Sequence, residues 1–268
     1  MNYHSDKWIM DRVREHYNEA LEHFPEDRIV GIFYQGSGNY GLDTPTSDVD
    51  TKLIVTPTFH DLAMNKQPVS TTHVRANDEH IDFKDVRLYI QTFRKANINF
   101  LEILFTPYAI VNPLYEIEWN RLVDTREAIT HYDRVRAIKA MQGTAHTKYK
   151  QLENNSPAHA KDIEKFGYSP KECCHLLRVE EFITRYIAGE SYADCMITKQ
   201  SEHLKDVKSG CYTLGDVRWM ADVTMTRLDE VCQSYLEECD KTVDEEVNAL
   251  LDDVQYNIMR IAIEKEIG

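Results

Sequence analysis

Long uninterrupted hydrophobic runs are missing from this chain of 268 residues. Its most apolar stretch, residues 98–110, is interrupted by Asn99, Glu102 and Pro107, whereas a membrane span needs about 18 to 20 consecutive apolar residues. The N-terminal residues carry charges where a signal peptide needs an apolar core, and they lack the Ser- and Arg-rich, acid-poor character of a transit peptide. We therefore predict a cytoplasmic protein that does not associate with a membrane.

Cysteine motifs are also missing, although cysteine itself is not. The six cysteines form no CxxC pair and no His-spaced zinc pattern, so we expect free thiols in a reducing compartment. They are Cys173, Cys174, Cys195, Cys211, Cys232 and Cys239.

Basic residues are in deficit. Lys and Arg number 31 against 45 Asp and Glu, a formal charge of 31 − 45 = −14, which argues against a protein that coats nucleic acid through a general positive field. The deficit is uneven: residues 229–268 hold three basic and twelve acidic side chains, whereas residues 131–181 hold nine and seven. A local groove for one nucleotide and one chain end therefore remains compatible with the charge.

The composition, with 42% apolar and 28% charged residues, is that of a folded globular protein. Hydrophobic periodicity predicts an amphipathic helix, then strands, then a series of helices. The predicted strands are residues 28–37, 51–57, 69–74 and 79–83. The predicted helices are residues 6–24, 115–128, 131–153, 170–188, 214–238 and 243–266, with further helical turns after residue 85 and over residues 100–105. We predict an α+β fold with a small sheet and flanking helices in residues 1–112 and an all-α domain in residues 113–268.

The sequence GSGNYG, residues 36–41, has the G-x-G-x-x-G spacing of dinucleotide-binding proteins and follows a predicted strand. In a Rossmann unit the third glycine lies in a helix, and one acidic residue follows about 20 positions later. Here Pro45 and neighbouring threonines interrupt a helix, and two acidic residues, Asp48 and Asp50, come only 12 and 14 positions after Gly36. The Rossmann interpretation is therefore disfavoured.

The aspartate pair suggests a different chemistry. If Asp48, Val49 and Asp50 begin a strand, the period of two places both carboxylates on one side. Such a pair repels itself unless a cation lies between, and oxygen ligands suit Mg²⁺ or Mn²⁺. Asp82, in an alternating run, is the candidate third carboxylate, with Asp85 as the second choice. The alternative is a solvated turn for the pair and an exposed edge-strand position for Asp82.

The arrangement of Gly36 and Ser37 at a strand end, followed by Asp48 and Asp50 at the next strand, resembles the signature of the DNA polymerase β-like nucleotidyltransferase superfamily. Three segments resemble one branch in particular, the predicted nucleotidyltransferases associated with RNA-repair ligases (the RlaP type). They are GSGNYGLDTPTSDVD, IDFKDVRLYIQTFRKANINFLEILFTP and GYSPKECCHLLRVEEFITRYIAGE. Gly38 and Asn39 depart from that family, because its members often carry a basic residue there.

The third segment is also interpretable by itself. Ser169, Pro170 and Glu172 have the pattern of a capping box with proline at the first helical position, so a helix is expected from residue 170 to about residue 189. A helical period places Lys171, His175 and Arg178 on one face. Without the resemblance, such a polar face is typical of a surface helix.

The resemblance implies a metal-dependent transfer of a nucleoside monophosphate from a nucleoside triphosphate, such as ATP, to a hydroxyl group, with release of pyrophosphate. Asp48, Asp50 and Asp82 would be the catalytic residues and would bind Mg²⁺ or Mn²⁺. Nucleotide contacts would come from Gly36, Ser37, Lys171, His175 and Arg178, the last three from the helical domain that closes the cleft. Glu102 matches the family's turn glutamate, which we expect to orient its neighbours.

The family association suggests an RNA or tRNA 3′ end as the acceptor, in RNA repair. Two alternatives stay open. The nucleotide could be transferred to a protein side chain or a small molecule, or the chain could be a non-catalytic nucleotide-binding regulatory protein. The oligomeric state is not indicated by the sequence.

Overall fold

The computed structural model describes residues 3–157 and 159–268. Spatial contacts between residues divide the chain into two compact units. The first comprises the chain through Asp133 together with Val243–Gly268, and the second is Arg134–Thr242.

A five-stranded sheet is the centre of the first unit, with strand order β3-β4-β2-β1-β5. Its strands are β1 (Ile29–Gln35), β2 (Asp50–Val55), β3 (Ser70–Val74), β4 (His80–Asp85) and β5 (Ala109–Val111). Strand β1 runs antiparallel to β2 and β5, β2 runs parallel to β4, and β3 and β4 form an antiparallel hairpin. The sheet is therefore mixed, unlike the parallel sheet of a Rossmann unit.

One face of the sheet is covered by α1 (Asp6–Ala20). Ser5 caps this helix, since its side chain accepts a hydrogen bond from the Trp8 N–H. The apolar positions Ile9 and Val13, four residues apart, are buried against sheet residues such as Leu53 and Ile81. Burial of this apolar stripe is what holds α1 to the sheet.

The opposite face is covered by later helices, one of them between β4 and β5 in the chain and another after β5. The rings of Phe33 in β1 and Trp119 are 4.2 Å apart between centroids and tilted by 30°. Helix α3 (Val86–Arg94) packs on β2 and β4. The helices of this unit are α2 (Phe59–Ala63), α3 (Val86–Arg94), α4 (Ile98–Leu101), α5 (Glu116–Asp124), α6 (Arg126–His131) and α13 (Glu245–Ile267). Short 3-10 turns are formed by Glu26–Arg28, Ser37–Tyr40 and Glu102–Leu104.

The second unit is helical. It contains α7 (Arg134–Gln151), α8 (Ala160–Phe166), α9 (Pro170–Ile187), α10 (Tyr192–Met196), α11 (Ser201–Ser209) and α12 (Leu214–Glu238). Helix α9 lies at its centre and packs against α7, α10, α11 and α12. Twelve of the 18 residues of α9 are buried, Arg178 and Arg185 among them, so α9 is a central helix and the surface-helix interpretation is wrong.

The predicted α+β fold class is confirmed. The predicted strands and the other long helices occur within a few residues of their expected bounds, and the helix over 214–238 has the bounds expected. The single helix predicted over 115–128 is instead two helices, α5 and α6, which meet at Thr125. Five short elements were not predicted, because segments of three to nine residues carry too little periodicity. These are β5, α2, α8, α10 and α11.

The predicted domains, 1–112 and 113–268, differ from the two contact units in two places, because the first unit continues to Asp133 and also includes the last helix. Helix α13 packs against α3 and α5 of the first unit, and Arg94 pairs with Asp252 at 2.8 Å. The periodicity of α13 shows that one side is apolar, but not which partner covers it. The domain assignment itself stays a prediction. Among the described residues, none of the helices combines the length and apolar character needed to cross a bilayer.

Candidate functional site

The glycine-rich turn follows β1 directly. Gly36 has φ 146° and ψ −170°, a conformation open essentially to glycine alone. The Gly38 N–H donates to the Tyr34 hydroxyl at 2.9 Å, and a Cβ placed on Gly38 would lie 2.8 Å from that hydroxyl oxygen. Burial raises the pKa of Tyr34 well above its ordinary value, so the hydroxyl stays neutral. The turn is thus shaped by close packing on Tyr34.

Glu102 supports the same turn from below. This residue is 1% exposed, and its Oε1 accepts hydrogen bonds from the Gly36 N–H at 3.2 Å and the Asn39 side-chain amide at 3.4 Å. Thr106 donates to the other side of the Asn39 amide at 2.9 Å. Asn39 therefore has a structural role at a position where the resembling family often has a basic residue. The Gly36 N–H is engaged within the protein, and Ser37, whose hydroxyl donates to Ser47 at 3.1 Å, is half-buried beside it.

The aspartate pair lies where the chain enters β2. Val49 is 1% exposed and belongs to the core, while Asp48 is exposed and Asp50 is half-buried. This alternation places the two carboxylates opposite Val49, although the strand begins only at Asp50 and Asp48 precedes it. Asp50 pairs across the sheet with Gln35, the last residue of β1, so it lies next to the start of the glycine-rich turn.

Asp82 lies on the same face of the sheet as Asp50. The register pairs Lys52 with Asp82 and Asp82 with Thr72, so these side chains form one row across three strands. Lys52 makes an ion pair with Asp82, and the Thr72 hydroxyl donates to the other carboxylate oxygen. Burial raises the pKa of Asp82, but the charge and hydrogen bond of Lys52 outweigh it and the pKa is lowered overall. Asp82 is therefore ionised at neutral pH.

Lys52 is itself nearly buried, with 5% of its surface exposed. Its ammonium group lies 4.5 Å from the ring centre of Phe100, and that of Lys84 lies 4.9 Å from the same centre. Burial and the nearby charge of Lys52 lower the pKa of Lys84. The two ammonium groups thus lie close together over one ring, and Asp82 pairs with that of Lys52.

An open pocket lies over this face. It has a volume of about 250 Å³ and is lined by Gln35, Asp50, Thr51, Thr72, His80 and Asp82. Sites for whole drug-sized ligands occupy roughly 300–1,000 Å³, so this pocket has room for part of a nucleotide, such as phosphate groups. His80 forms its rim and donates its backbone N–H to Asp50 at 2.9 Å.

The carboxylates at this pocket only partly suit a divalent metal ion. Asp48 and Asp50 offer carboxylate oxygens, the ligands that Mg²⁺ prefers, on an accessible surface. Asp82 does not fit as it stands, because Lys52 and Thr72 occupy its two oxygens. Within the described ranges, 3–157 and 159–268, no group of three His, Cys, Asp or Glu side chains is placed to hold a metal.

Asp85, the second choice for the third carboxylate, has another role. It is 1% exposed and caps α3 by accepting the Arg87 N–H at 2.9 Å, while its other oxygen binds the Arg87 guanidinium at 2.6 Å. Asp85 does not line the pocket, whereas Asp82 does.

The other predicted nucleotide-binding residues, Lys171, His175 and Arg178, belong to α9 of the second unit. Lys171 is exposed and Arg178 is buried. Burial lowers the pKa of His175 well below its ordinary value, and the charges of Arg178, Lys148, Lys171 and Lys208 lower it further. These four cations around a neutral histidine form a basic cluster. Lys148 and Lys208 come from α7 and α11, so no local motif could have identified them.

The start of α9 only partly follows the predicted capping box. Ser169 accepts the Glu172 N–H at 3.4 Å, as expected. The Ser169 N–H, however, donates to the Leu152 carbonyl at 2.8 Å, and the Glu172 carboxylate lies 2.9 Å from the Lys148 ammonium. Tertiary contacts have replaced the second half of the local motif.

No protein-family model matches this chain, and no curated protein matches it. Among solved structures, the chain is similar to a nucleotidyltransferase-like protein from Exiguobacterium sibiricum. The sequences are 10% identical, the match covers 84% of this chain and 75% of that chain, and the TM-score is 0.29. The function of this chain is therefore inferred from its own residues.

Proposed function

We propose that this protein is a nucleotidyltransferase that transfers a nucleoside monophosphate from a nucleoside triphosphate to a hydroxyl acceptor. The observation that carries the proposal is the position of Asp50 and Asp82 on one sheet face, in a pocket beside the glycine-rich turn. Separate segments of the chain supply these carboxylates, which are 82 − 50 = 32 positions apart. A solvated surface turn would not require that convergence.

In the proposed reaction the acceptor oxygen bonds to the α-phosphorus, the bond from that phosphorus to the β-bridging oxygen breaks, and pyrophosphate leaves. Asp82 would receive the hydrogen bond, and then the proton, of the attacking hydroxyl. Its carboxylate is ionised, and the acceptor hydroxyl would have to share one of its oxygens with Lys52 or Thr72, which contact both of them. Ser37, at the end of β1, would donate to a phosphate oxygen.

Mg²⁺ or Mn²⁺, when bound by Asp48 and Asp50, would neutralise triphosphate charge. Asp82 would join such a site only after exchanging its contact with Lys52. The basic cluster of the second unit, Lys171, His175 and Arg178 with Lys148 and Lys208, would bind anionic oxygens of a nucleotide or of the acceptor.

The acceptor we propose is an RNA 3′ end, on the strength of the family resemblance. Purified protein would be incubated with each labelled NTP, Mg²⁺ and one of three acceptor pools: total RNA, lysate protein and small hydroxyl compounds. Label in RNA supports the proposal, and label in protein or small molecules assigns the alternative acceptor. Calorimetry that shows NTP binding without turnover would favour the regulatory alternative.

The carboxylate assignment is tested with Asp48→Asn and Asp50→Asn. Each variant is expected to lose transfer by about 100-fold or more, since one carboxylate acting on developing charge contributes several kcal/mol to a rate. Asp11→Asn, a substitution at a half-exposed position of α1, is the matched control and should retain wild-type activity. Wild-type rates in both site variants would refute the assignment.

A further inference from the structure

Glu79 is a buried carboxylate that the sequence patterns do not single out. It lies just before β4, at the end of the hairpin turn from β3, where its carbonyl accepts the Arg75 N–H at 2.9 Å. Only 4% of its surface is exposed. Burying a charge is costly unless it is paired and hydrogen-bonded, and Glu79 has partners of both kinds.

The two oxygens of Glu79 have different partners. Oε2 contacts the guanidinium of Arg12, the ring Nε2 of His16 at 3.0 Å and the guanidinium of Arg75 at 2.9 Å. Oε1 accepts the backbone N–H of Val49 at 3.2 Å. Burial raises the pKa of Glu79, but hydrogen bonds from His16 and Arg12 outweigh that effect and hold the pKa well below its ordinary value. The residue is therefore a charged acceptor that cations hold in place.

The Val49 N–H belongs to the segment that carries the two aspartates. Val49 stands between Asp48 and Asp50 and precedes β2, so its N–H lies ahead of the strand pairing, which begins at Asp50. The next residue after Glu79 acts on the same segment, because the His80 N–H donates to the Asp50 side chain at 2.9 Å. Residues 79 and 80 thus hold the backbone and one carboxylate of the segment 48–50 at two successive points.

His16 adds a third connection. Its Nε2 faces Glu79 and its Nδ1 lies 2.9 Å from the hydroxyl of Thr51 in β2. The ring is fully buried. The arrangement therefore links α1, the β3–β4 turn and the first residues of β2 through one carboxylate.

We propose that Glu79 is a positioning residue that sets the direction of Asp48 and Asp50 by holding the Val49 N–H. The consequence for catalysis rests on the proposed nucleotidyl transfer, whereas the backbone constraint does not. Without the acceptor, the buried Val49 N–H must find another partner, and the segment must move to provide one. Both carboxylates then lose their common direction.

Glu19 provides the matched control. It belongs to the same charged cluster, where it binds the Arg75 guanidinium at 2.7 Å and the His73 ring at 2.6 Å. No hydrogen bond joins it to Val49 among the described contacts. A purely structural role of the cluster should therefore make Glu79 and Glu19 substitutions behave alike.

The variants are Glu79→Gln, Glu79→Ala and Glu19→Gln in the full chain. Gln cannot serve both sides, because its amide offers one acceptor oxygen to the Val49 N–H and the cations together. Hydrogen–deuterium exchange of the Val49 amide is expected to accelerate about tenfold or more in the Glu79 variants, because the amide loses one hydrogen bond to a charged group. In Glu19→Gln it should stay within about twofold of wild type.

Two further measurements connect the constraint to the site. Mn²⁺ titration followed by electron paramagnetic resonance, with Mn²⁺ alone as the probe, is expected to show about tenfold weaker binding in Glu79→Gln and unchanged binding in Glu19→Gln. Nucleotidyl transfer by Glu79→Gln should fall by a similar factor, with thermal unfolding measured in parallel to show that the chain is folded.

Unchanged Val49 exchange in either folded Glu79 variant would overturn the proposal. Equal losses of Mn²⁺ affinity in the Glu79 and Glu19 variants would also overturn it, since they would show a general effect of the cluster. If the wild type shows no transfer with any NTP, the proposed function fails, while the exchange measurement still decides on Glu79. If Glu79→Ala does not fold, Glu79→Gln decides.

Discussion

The ion pair between Lys52 and Asp82 can be tested by Lys52→Met. Methionine retains an unbranched side chain that can pack on Phe100, but it removes the positive charge. The Lys52 side chain is 6% exposed and that of Asp82 is 30% exposed, so the variant leaves a mostly covered carboxylate without its main cation. The perturbation is thus electrostatic, with little change of shape.

The magnitude follows from geometry and burial. Two unit charges about 4 Å apart attract by about 4 kcal/mol at an effective dielectric constant of about 20. Removing one partner of a fully buried pair costs about 3 to 5 kcal/mol. Because water reaches Asp82 in part and Thr72 still donates to it, we expect the free energy of unfolding to fall by about 2 to 3 kcal/mol.

Lys84→Met is the matched control. Lys84 lies over the same ring, 4.9 Å from its centre, but burial and Lys52 lower its pKa, which shows that its charge is disfavoured in the folded protein. Its substitution should therefore cost less than about 1 kcal/mol. Urea unfolding of each variant, followed by tryptophan fluorescence, measures the difference.

The pH dependence gives an independent check. The folded-state pKa of Asp82 is lowered, so the stability it contributes is full above the unfolded value of about 3.9 and disappears as the pH falls through the folded-state pKa. The difference between wild type and Lys52→Met should therefore be full near pH 7 and should shrink below about pH 4. A loss under about 0.5 kcal/mol at neutral pH, or a loss that does not shrink in acid, would refute the electrostatic explanation.

Three further substitutions test the local structure. Gly36→Ala places a residue with a Cβ at φ 146°, 3.1 Å from the Tyr34 hydroxyl, and should lower the free energy of unfolding by about 1 to 3 kcal/mol. A change below about 0.5 kcal/mol in urea unfolding would contradict this. Glu102→Ala removes the acceptor of the Gly36 N–H, so it should lower the free energy of unfolding by about 2 to 3 kcal/mol and speed amide exchange at Gly36. Unchanged exchange at Gly36 would exclude the role of Glu102 in the turn. Thr213→Ala removes the N-cap of α12, where Thr213 and Asp216 form a capping box, and should cost about 1 kcal/mol, with Thr213→Ser retaining most of the stability.

The carboxylate segment shows how far local pattern reaches. An alternation of period two predicts that Val49 is opposite Asp48 and Asp50, and the structure shows Val49 in the core with Asp50 at the pocket. The pattern could not show where the strand begins, because β2 starts at Asp50 only where cross-strand pairing with Gln35 starts. The local signal therefore predicted the faces, and pairing decided the boundary.

Helix and strand positions were largely determined by the sequence alone. Periodicity and capping residues act within a few positions of each other, which is why the start of α9 at Pro170 and that of α1 at Asp6 were predictable. The partners of these elements were not, because contacts between α9 and four other helices depend on residues distant in the chain.

The tertiary structure alone decided the surroundings of the site residues. The parallel register of β2 and β4 places Lys52 beside Asp82, and helix packing brings Lys148 and Lys208 to His175. The β3–β4 turn aims Glu79 at the Val49 N–H. A single sequence determines which residues can carry a charge and which side of an element they occupy. Which opposite charge neutralises each one depends on how distant segments pack, and no short-range pattern contains that information.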